Sequence, residues 1–414
     1  MKETDTVGSK KAGLSYWARI KPAFVKHGDL LLFGLALAVL AAILLNRPYN
    51  KVIPDTMPSI TPSIVFTQWW QDYLENDTLM DLAEEFEKLH ANIKVVIKDA
   101  AYEDLRDELF YPGETGYPGD VLALDPLWVP ELLRRETIEY GDATPFLSFI
   151  NVLYYNIEIL KDAGFSRPPK SRSEFINYLK TINGKEESRW GITLDSKSSR
   201  GIYDNVLPWI WSAGAQLIKD GKPALNSRQL VESLSFLASL HKEGFIDQGS
   251  PNENKLEDFI TGKTAFMIAS SGDIVLVRER MGDEAFGVSS IPTPDNYSGI
   301  SFFASTGWTA SINSASEYKE EARLFAAFLA EKATLLSEKA HAIPGTGNQP
   351  AAYDPFYSKV WDITIAAEPA QDFDSLPFTE LEQIFREELY ALFEGKITPA
   401  EAAGEMQAKW SAKL

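Results

Sequence analysis

The feature that most constrains the chain is an uncharged apolar run of sixteen residues, LLLFGLALAVLAAILL, from Leu30 to Leu45. A helix of this length spans roughly 24 Å, slightly less than the ~30 Å hydrocarbon core of a bilayer. Residues 1–29 carry six basic and three acidic side chains, and such a basic flank favours the cytoplasmic side. The pattern predicts a cytoplasmic segment over residues 1–29 and a transmembrane signal-anchor over residues 30–46.

A cleaved signal peptide is the main alternative for this segment. It would need an unusually long basic region, and no small-x-small cleavage site follows the apolar run. The next segment, residues 47–62, contains four prolines and is expected to be a semi-extended spacer. It would hold the bulk of the protein outside the cytoplasm, in the periplasm or on the cell surface.

The composition excludes several classes of site. The chain has no Cys and four His, so thiolate metal sites, Cys nucleophiles and disulfides are excluded and a histidine zinc helix is absent. The net charge is −19, and because residues 1–29 are net +3, the remainder carries −22. Such a surface repels nucleic-acid phosphates. We therefore expect no metal, no cofactor and no nucleic-acid partner.

From Ser63 onward, apolar strand and helix patterns alternate. Strands are predicted at residues 63–66, 93–97 and 121–124, separated by about thirty residues in the first unit, as in a βαβ motif. The pattern predicts an α/β fold with a parallel or mixed sheet, in which ligands bind beyond the carboxyl ends of the strands. The apolar face of the first helix is predicted to consist of Leu79, Leu82, Ala83, Phe86 and Leu89.

The carboxy-terminal third is predicted to be helical over residues 320–339 and 378–393. A capping box, Thr398-Pro399-Ala400-Glu401, predicts the start of a final helix. That helix carries Ala402, Met406 and Trp410 at four-residue spacing and is expected to be packed against the body.

Aromatic and acidic residues follow several predicted strands. A tryptophan is commonly a core residue, but flat rings beside carboxylates also suit sugars, whose apolar faces stack and whose hydroxyls pair with acids. The residues in this pattern are Trp69, Trp70, Asp125, Trp128, Trp209, Trp211 and Trp308.

Ordered sequence blocks from Ser63 to Leu414 resemble the extracellular solute-binding proteins of ATP-binding-cassette (ABC) importers, in the maltose-binding-like group. The blocks are SIVFTQWW with LMDLAEEFEKLHANIKVVI, then PGDVLALD, VLYYNIEILKDAGFSRPPKSRSEF, FITGKTAFMIASSG, STGWTASINSASEYKEEARLFAAFLAE and GKITPAEAAGEMQAKW.

The resemblance implies a two-lobed periplasmic-binding-protein-like α/β fold with an interlobe hinge and cleft. Lobe one would comprise residues 63–153 plus 304–345, and lobe two residues 154–303 plus 350–414. It also implies capture of a small polar ligand of carbohydrate type, delivery to the transmembrane subunits of an ABC permease, and no catalysis.

Carried over by position, the resemblance implies ligand contacts at Trp69, Trp70, Asp125, Trp128, Tyr155, Trp209, Trp211, Ser271, Asp273 and Trp308. Two departures from the family pattern stand out. Asp273 occupies a position where sugar binders often have an aromatic residue, which suggests a more polar or cationic ligand group. The stretch from Ile138 to Tyr154 is shorter than is usual in the family.

We also expect Trp308→Ala to weaken ligand binding by at least 1–2 kcal/mol without unfolding the protein.

Three other functions stay open. The protein could bind a cationic or peptide ligand, or serve a sensor partner. A glycoside hydrolase would need two carboxylates about 5–10 Å apart, which Asp72, Asp125 and Asp273 could supply in a closed cleft. No Gly-x-Ser-x-Gly motif of a serine esterase is present.

Overall fold

The computed structural model describes residues 61–74, 77–111, 113, 118–140, 146–183, 190–198, 201–247, 254–303, 305–340, 342–344, 354–370 and 378–413. The predicted cytoplasmic segment, the predicted signal-anchor and most of the spacer lie outside these residues. Within the described part of the chain, no helix is both long enough and apolar enough to cross a membrane.

The strands of the described residues are β1 (Ser63–Gln68), β2 (Lys94–Asp99), β3 (Val121–Leu124), β4 (Leu147–Asn156), β5 (Trp190–Thr193), β6 (Ile218–Lys219), β7 (Lys222–Pro223), β8 (Ile246–Asp247), β9 (Thr264–Ser270), β10 (Phe286–Ser289), β11 (Phe302–Phe303), β12 (Ser305–Ile312), β13 (Ile343–Pro344) and β14 (Glu368–Pro369).

The α-helices are α1 (Thr78–Leu89), α2 (Tyr102–Phe110), α3 (Val129–Arg134), α4 (Ile157–Asp162), α5 (Arg172–Asn183), α6 (Leu207–Trp211), α7 (Arg228–Lys242), α8 (Lys255–Ile260), α9 (Ile274–Met281), α10 (Lys319–Glu331), α11 (Ala333–Ala340), α12 (Pro355–Ile365), α13 (Phe378–Phe393) and α14 (Pro399–Ser411). Short 3-10 turns at Trp70–Tyr73 and Ser271–Asp273 and a π-helical turn at Ile202–Val206 complete the set.

A mixed sheet runs through the described body in the order β2-β1-β3-β12-β4-β9-β5-β8, and β10 and β13 also pair with β4. Strand β1 is parallel to β2 and β3, whereas β12 is antiparallel to both β3 and β4. The predicted mixed α/β sheet is therefore confirmed.

The long strand β4 connects the two halves of this sheet. Its residues Leu147–Ile150 pair with β12, and its residues Asn151–Tyr155 pair with β9. The pairing partner thus changes between Ile150 and Asn151. The boundary that we predicted after residue 153 stays a prediction.

Two clusters of buried apolar residues lie on the two sides of this change, and a third cluster, which contains Ile150 and Val152, spans it. The first core contains Phe66, Leu122 and Phe149, and the second core contains Leu153 and Trp209. Because alternate residues of a strand face the same way, Phe149, Asn151 and Leu153 share one face of β4. That face passes from the first core to the second core, and the polar Asn151 lies between them.

Local sequence signals agree with the observed helices. The capping box is formed, with the Thr398 hydroxyl accepting from the Glu401 amide and the Glu401 carboxylate accepting from the Thr398 amide. The predicted face of α1 is buried except for Leu89, which is 65 % exposed. The prediction is thus confirmed for four residues and was wrong for Leu89, which is the last residue of α1.

Candidate functional site

An aromatic cluster lies at the carboxyl ends of β1 and β3, where the sequence predicted ligand contacts. We call these six side chains the aromatic cluster: Trp69, Trp70, Tyr73, Tyr102, Trp128 and Trp308.

The rings of the aromatic cluster form a continuous series of contacts. The Tyr102 ring centroid lies 4.7 Å from that of Trp128 and 4.9 Å from that of Trp69. Tyr73 then links Trp69 to Trp308, at centroid distances of 6.0 and 6.4 Å. Tyr73 and Tyr102 are partly exposed, whereas the tryptophans are buried. The two tyrosines are therefore the accessible members of the cluster.

The innermost pair of the cluster is Trp70 and Trp308. Their rings stack at a centroid distance of 4.6 Å and an interplanar angle of 11°, and both side chains are fully buried. Neither indole Nε1–H has a hydrogen-bond acceptor among the described residues. The pair therefore contains two unsatisfied donors. Each buried donor without an acceptor lowers the stability of the folded protein by about 1–3 kcal/mol.

Asp125 directly follows β3 and is buried beneath this cluster. Its carboxylate accepts hydrogen bonds from the Tyr102 hydroxyl at 3.0 Å and from the Leu127 amide at 2.9 Å. Its backbone carbonyl accepts from the Trp128 amide at 2.9 Å. Asp125 thus orders the turn that positions Trp128. The middle of the series is fixed by Trp69, whose Nε1–H donates to the Ala123 carbonyl at 3.0 Å.

The turn after β9 packs against the same cluster. A Cβ atom on Gly272 would lie 3.0 Å from ring carbons of both Tyr73 and Phe149. The neighbouring Ser271 hydroxyl accepts from the Ile150 amide at 3.4 Å. The structure therefore brings the predicted residues Ser271 and Asp273 close to Trp308, through Tyr73 and Phe149.

Asp273 is partly exposed and adds negative charge to this region. Tyr154 is fully buried and donates its hydroxyl to the Ser270 carbonyl at 2.6 Å. Burial raises the pKa of Tyr154 well above its usual value, and the nearby Asp273 and Tyr73 raise this pKa further. Tyr154 is therefore a neutral donor at neutral pH, and Asp273 is the accessible charge of the turn.

Two predicted tryptophans lie elsewhere. Trp209 and Trp211 are fully buried, and the Trp209 ring is about equally close to Phe175 and Phe236, at 5.1 and 5.0 Å. The Arg172 guanidinium donates to the Trp209 carbonyl. Helix α6 lies inside the second core, so both of these rings contact protein, and the structure does not bring them to the aromatic cluster.

Tyr155 is also separate from the cluster. It lies on β4 in register with Gly287 of β10 and is half-buried beside the second core. Burial raises the pKa of its hydroxyl. Its ring covers Gly287.

A buried charged network that the sequence analysis missed lies next to the change in β4 pairing. The Asn151 amide donates to Asp204 at 3.3 Å, and the Lys255 ammonium lies 3.5 Å from the other Asp204 oxygen. The side chains of Lys255 and Asp204 are 8 % and 4 % exposed. Asp204 belongs to the π-helical turn, a feature that is frequent at functional sites. The available signal was a polar residue inside each of two apolar runs, FINVLYY and IYDNVLPWIW.

Metal binding finds no support in the part of the chain that the structure describes. In these residues, no group of three or more His, Cys, Asp or Glu side chains is arranged to hold a metal ion. The arrangement can instead stack against an apolar ring face and accept hydrogen bonds at its carboxylates.

Solved structures of several binding proteins share this fold. The GacH receptor of Streptomyces glaucescens, solved unliganded and with acarbose, has a TM-score of 0.72 at 18 % identity, covering 86 % of this chain and 99 % of that chain. UgpB from Mycobacterium tuberculosis, in complex with glycerophosphocholine, has a TM-score of 0.71 at 16 % identity, covering 84 % and 98 %. The chain therefore has a two-lobed periplasmic-binding-protein-like α/β fold.

Proteins with a similar amino-acid sequence are also binding proteins. The sn-glycerol-3-phosphate-binding periplasmic protein UgpB of Salmonella paratyphi A is 27 % identical over 62 % of this chain and 64 % of its own length. The UgpB of Pectobacterium atrosepticum is 27 % identical over 74 % of this chain and 70 % of its own length. The chain thus spans about 64 % of the first of these relatives.

A family match covers most of the region described above. The model of the bacterial extracellular solute-binding proteins matches residues 73–334, which include Asp125, the turn after β9, the buried network and all of the aromatic cluster except Trp69 and Trp70. The chain belongs to the family of bacterial extracellular solute-binding proteins.

Proposed function

We propose that this protein is an extracytoplasmic receptor that captures a small hydroxylated solute of carbohydrate type and delivers it to an ABC permease. Membership of the solute-binding family supports the receptor role. Similar proteins are described with acarbose, maltose, tagatose and glycerophosphocholine. All of these ligands carry several hydroxyl groups or a glycerol unit.

The observation that carries this proposal is the combination of the aromatic cluster with two carboxylates. Aromatic faces pack on the apolar faces of a sugar ring, and carboxylates accept charge-assisted hydrogen bonds from its hydroxyls. Asp125 is already ordered by Tyr102, and Asp273 is the accessible carboxylate beside Tyr73. We propose ligand contacts at Trp69, Tyr73, Asp125, Trp128, Ser271, Asp273 and Trp308.

Entry of a ligand to this region requires the two lobes to separate. The tryptophans of the cluster are buried, and Tyr73 already contacts the turn after β9. Hinge motion between lobes is the usual way in which such a site opens, and a few residues at element ends absorb it. We propose that β4, at Ile150–Asn151, is one hinge segment.

We further propose that residues 30–46 anchor the receptor in the membrane, with residues 1–29 in the cytoplasm and residues 47–62 as spacer. The apolar run and its basic flank support this arrangement. A tethered receptor stays near its permease and needs no free diffusion. Protease treatment of spheroplasts, whose cytoplasmic membrane is intact, tests the topology: the body should be digested and an amino-terminal tag should be protected.

The ligand class is tested by isothermal titration calorimetry on the full chain in detergent. The probes are maltose, tagatose, sn-glycerol 3-phosphate, glycerophosphocholine and spermidine. We expect saturable heat from a saccharide or glycerol-containing probe, together with a rise in melting temperature by mass action. A response to spermidine alone would replace the carbohydrate proposal with a cationic ligand, which the position of Asp273 favours as the second candidate.

The site assignment is tested with a matched pair of variants. Tyr102→Phe removes only the hydroxyl that orients Asp125, and Tyr178→Phe makes the same change in the second core. We expect Tyr102→Phe to weaken binding of the responding probe by about 1–2 kcal/mol, that is, five- to thirtyfold. We expect Tyr178→Phe to leave the dissociation constant unchanged. Equal dissociation constants for the two variants would show that Asp125 does not belong to the binding site.

A further inference from the structure

A cavity of about 340 Å³ lies beside α12, and none of the aromatic cluster lines it. Its buried floor contains Asn151, Pro208 and Ser212, and its exposed rim carries Lys359 and Asp362. The cavity is therefore open to solvent on one side and reaches the β4 crossover on the other.

Two opposite charges stand together at this rim. Lys359 and Asp362 are three residues apart on α12, a spacing that places both side chains on one helix face. Among the described residues, neither charge has an ion-pair or side-chain hydrogen-bond partner. A ligand that carries one charge of each sign could pair with both. A simple anion would pair with Lys359 but would be repelled by Asp362.

Seven of the other twelve lining residues are apolar, and five are polar. Ile291, Phe302 and Ile363 contribute hydrocarbon surface to the cavity. The hydroxyls nearest the floor are already engaged, because Ser301 donates to the Ser212 carbonyl at 3.0 Å and Ser212 donates to the Trp209 carbonyl at 3.1 Å. The cavity thus offers a charge pair at its mouth and an interior in which apolar surface lies beside the hydroxyls of Ser290 and Thr293.

The volume limits the size of the ligand. Sites for small molecules commonly enclose about 300–1,000 Å³, so this cavity lies at the small end of that range. We infer that it binds a free α-amino acid with an apolar side chain. The ammonium group pairs with Asp362, the carboxylate pairs with Lys359, and the side chain packs on the apolar lining. This site goes beyond the proposed carbohydrate receptor and does not depend on it.

The test uses calorimetry on the full chain in detergent with L-leucine, L-methionine and L-phenylalanine as probes. For leucine, two analogues each keep the apolar body and one charge: 3-methylbutylamine and 4-methylpentanoate. We expect one amino acid to bind at a one-to-one ratio and the matched one-charge analogues to bind at least about tenfold more weakly.

Four substitutions locate the binding. Lys359→Gln and Asp362→Asn should each weaken amino-acid binding at least about tenfold, because each removes one charge-assisted contact. Lys180→Gln and Asp81→Asn are the matched controls, since both positions are exposed and far from the cavity in sequence. All four variants change exposed side chains, so we expect each of them to fold.

Three results would overturn the inference: no heat from any of the three amino acids, one-charge analogues that bind as tightly as leucine, or unchanged binding in Lys359→Gln and Asp362→Asn.

The saccharide titration in the same preparations separates this inference from the proposed function. If carbohydrate binding fails while leucine binding persists, only the receptor proposal falls. If leucine binding fails while carbohydrate binding persists, only the cavity assignment falls.

Discussion

Trp70 and Trp308 stack face to face with their ring centroids 4.6 Å apart, and both side chains are fully buried. The first follows β1 and the second lies on β12, so the pair joins the parallel strands to the returning strand. The Phe146 ring makes an edge contact with Trp70 at a centroid distance of 5.5 Å. The Phe149 ring makes a tilted contact with Trp308 at 5.4 Å. Trp308 is therefore part of the first core in addition to its proposed ligand role.

This burial changes the expected behaviour of Trp308→Ala. From sequence we expected the variant to keep its stability, but removing a fully buried tryptophan leaves a cavity and costs about 3–5 kcal/mol of unfolding free energy. Urea denaturation measures this cost. Trp190→Ala is the control at a half-buried position and should cost clearly less. A loss below about 1 kcal/mol for Trp308→Ala would contradict its place in the core.

The buried ion pair gives a second prediction. Lys255→Met leaves Asp204 as a buried carboxylate without its cation, and such a change costs about 3–5 kcal/mol of unfolding free energy. The double variant Lys255→Met/Asp204→Leu should recover part of this loss, since it removes the uncompensated charge. Equilibrium denaturation of both variants tests the coupling. Lys180→Met, at an exposed position, should change stability by less than about 0.5 kcal/mol.

A third prediction concerns the contact between Gly287 and Tyr155 on neighbouring strands. A Cβ atom on Gly287 would overlap the Tyr155 ring. Gly287→Ala should therefore destabilise the protein by about 1–3 kcal/mol through overpacking. Adding Tyr155→Leu should relieve part of that cost, which thermal denaturation can measure.

Gly404→Ala is the control for this experiment. Gly404 lies inside α14, and its added Cβ atom would meet nothing within 4 Å. This substitution should stabilise the protein by about 0.5–1 kcal/mol, because glycine loses more backbone entropy in a helix. A loss of stability equal to that of Gly287→Ala would argue against the steric explanation.

The fourth prediction concerns pH. The Glu174 carboxylate accepts two hydrogen bonds from the Arg167 guanidinium and one from the Lys170 amide, and the bond from Arg167 is the main cause that lowers the Glu174 pKa from 4.5 to about 2. A lowered folded-state pKa stabilises the protein above pH 4.5, and this contribution disappears as the pH falls through about 2.

Carbon-13 NMR titration of the Glu174 carboxyl group measures this shift directly. In Arg167→Gln the midpoint should move from about 2 toward 4.5. The stability difference between the wild type and Arg167→Gln should be constant above about pH 5 and shrink below it. A midpoint that the substitution leaves in place would show that the Lys170 amide alone sets the pKa.

Sequence by itself determined the local elements of this protein. The capping box at Thr398, helix α13 and strand β3 are correctly predicted, since helix and strand periodicities and cap chemistry depend on residues a few positions apart. The acidic and aromatic residues after β1 and β3 also gather as expected, because parallel strands end at the same edge of a sheet. The ordered blocks of the resemblance indicated the family, which the family match confirms.

Only the tertiary structure decided which aromatic and polar residues share a site. Trp69 and Trp209 follow similar local patterns, yet one lies in the aromatic cluster and the other in the second core. Asn151, Asp204 and Lys255 carry no local signal for a shared network. Their contact depends on how β4, the π-helical turn and α8 meet. The physical reason is that stacking, burial and ion pairing depend on distances between residues remote in sequence, which local periodicity does not encode.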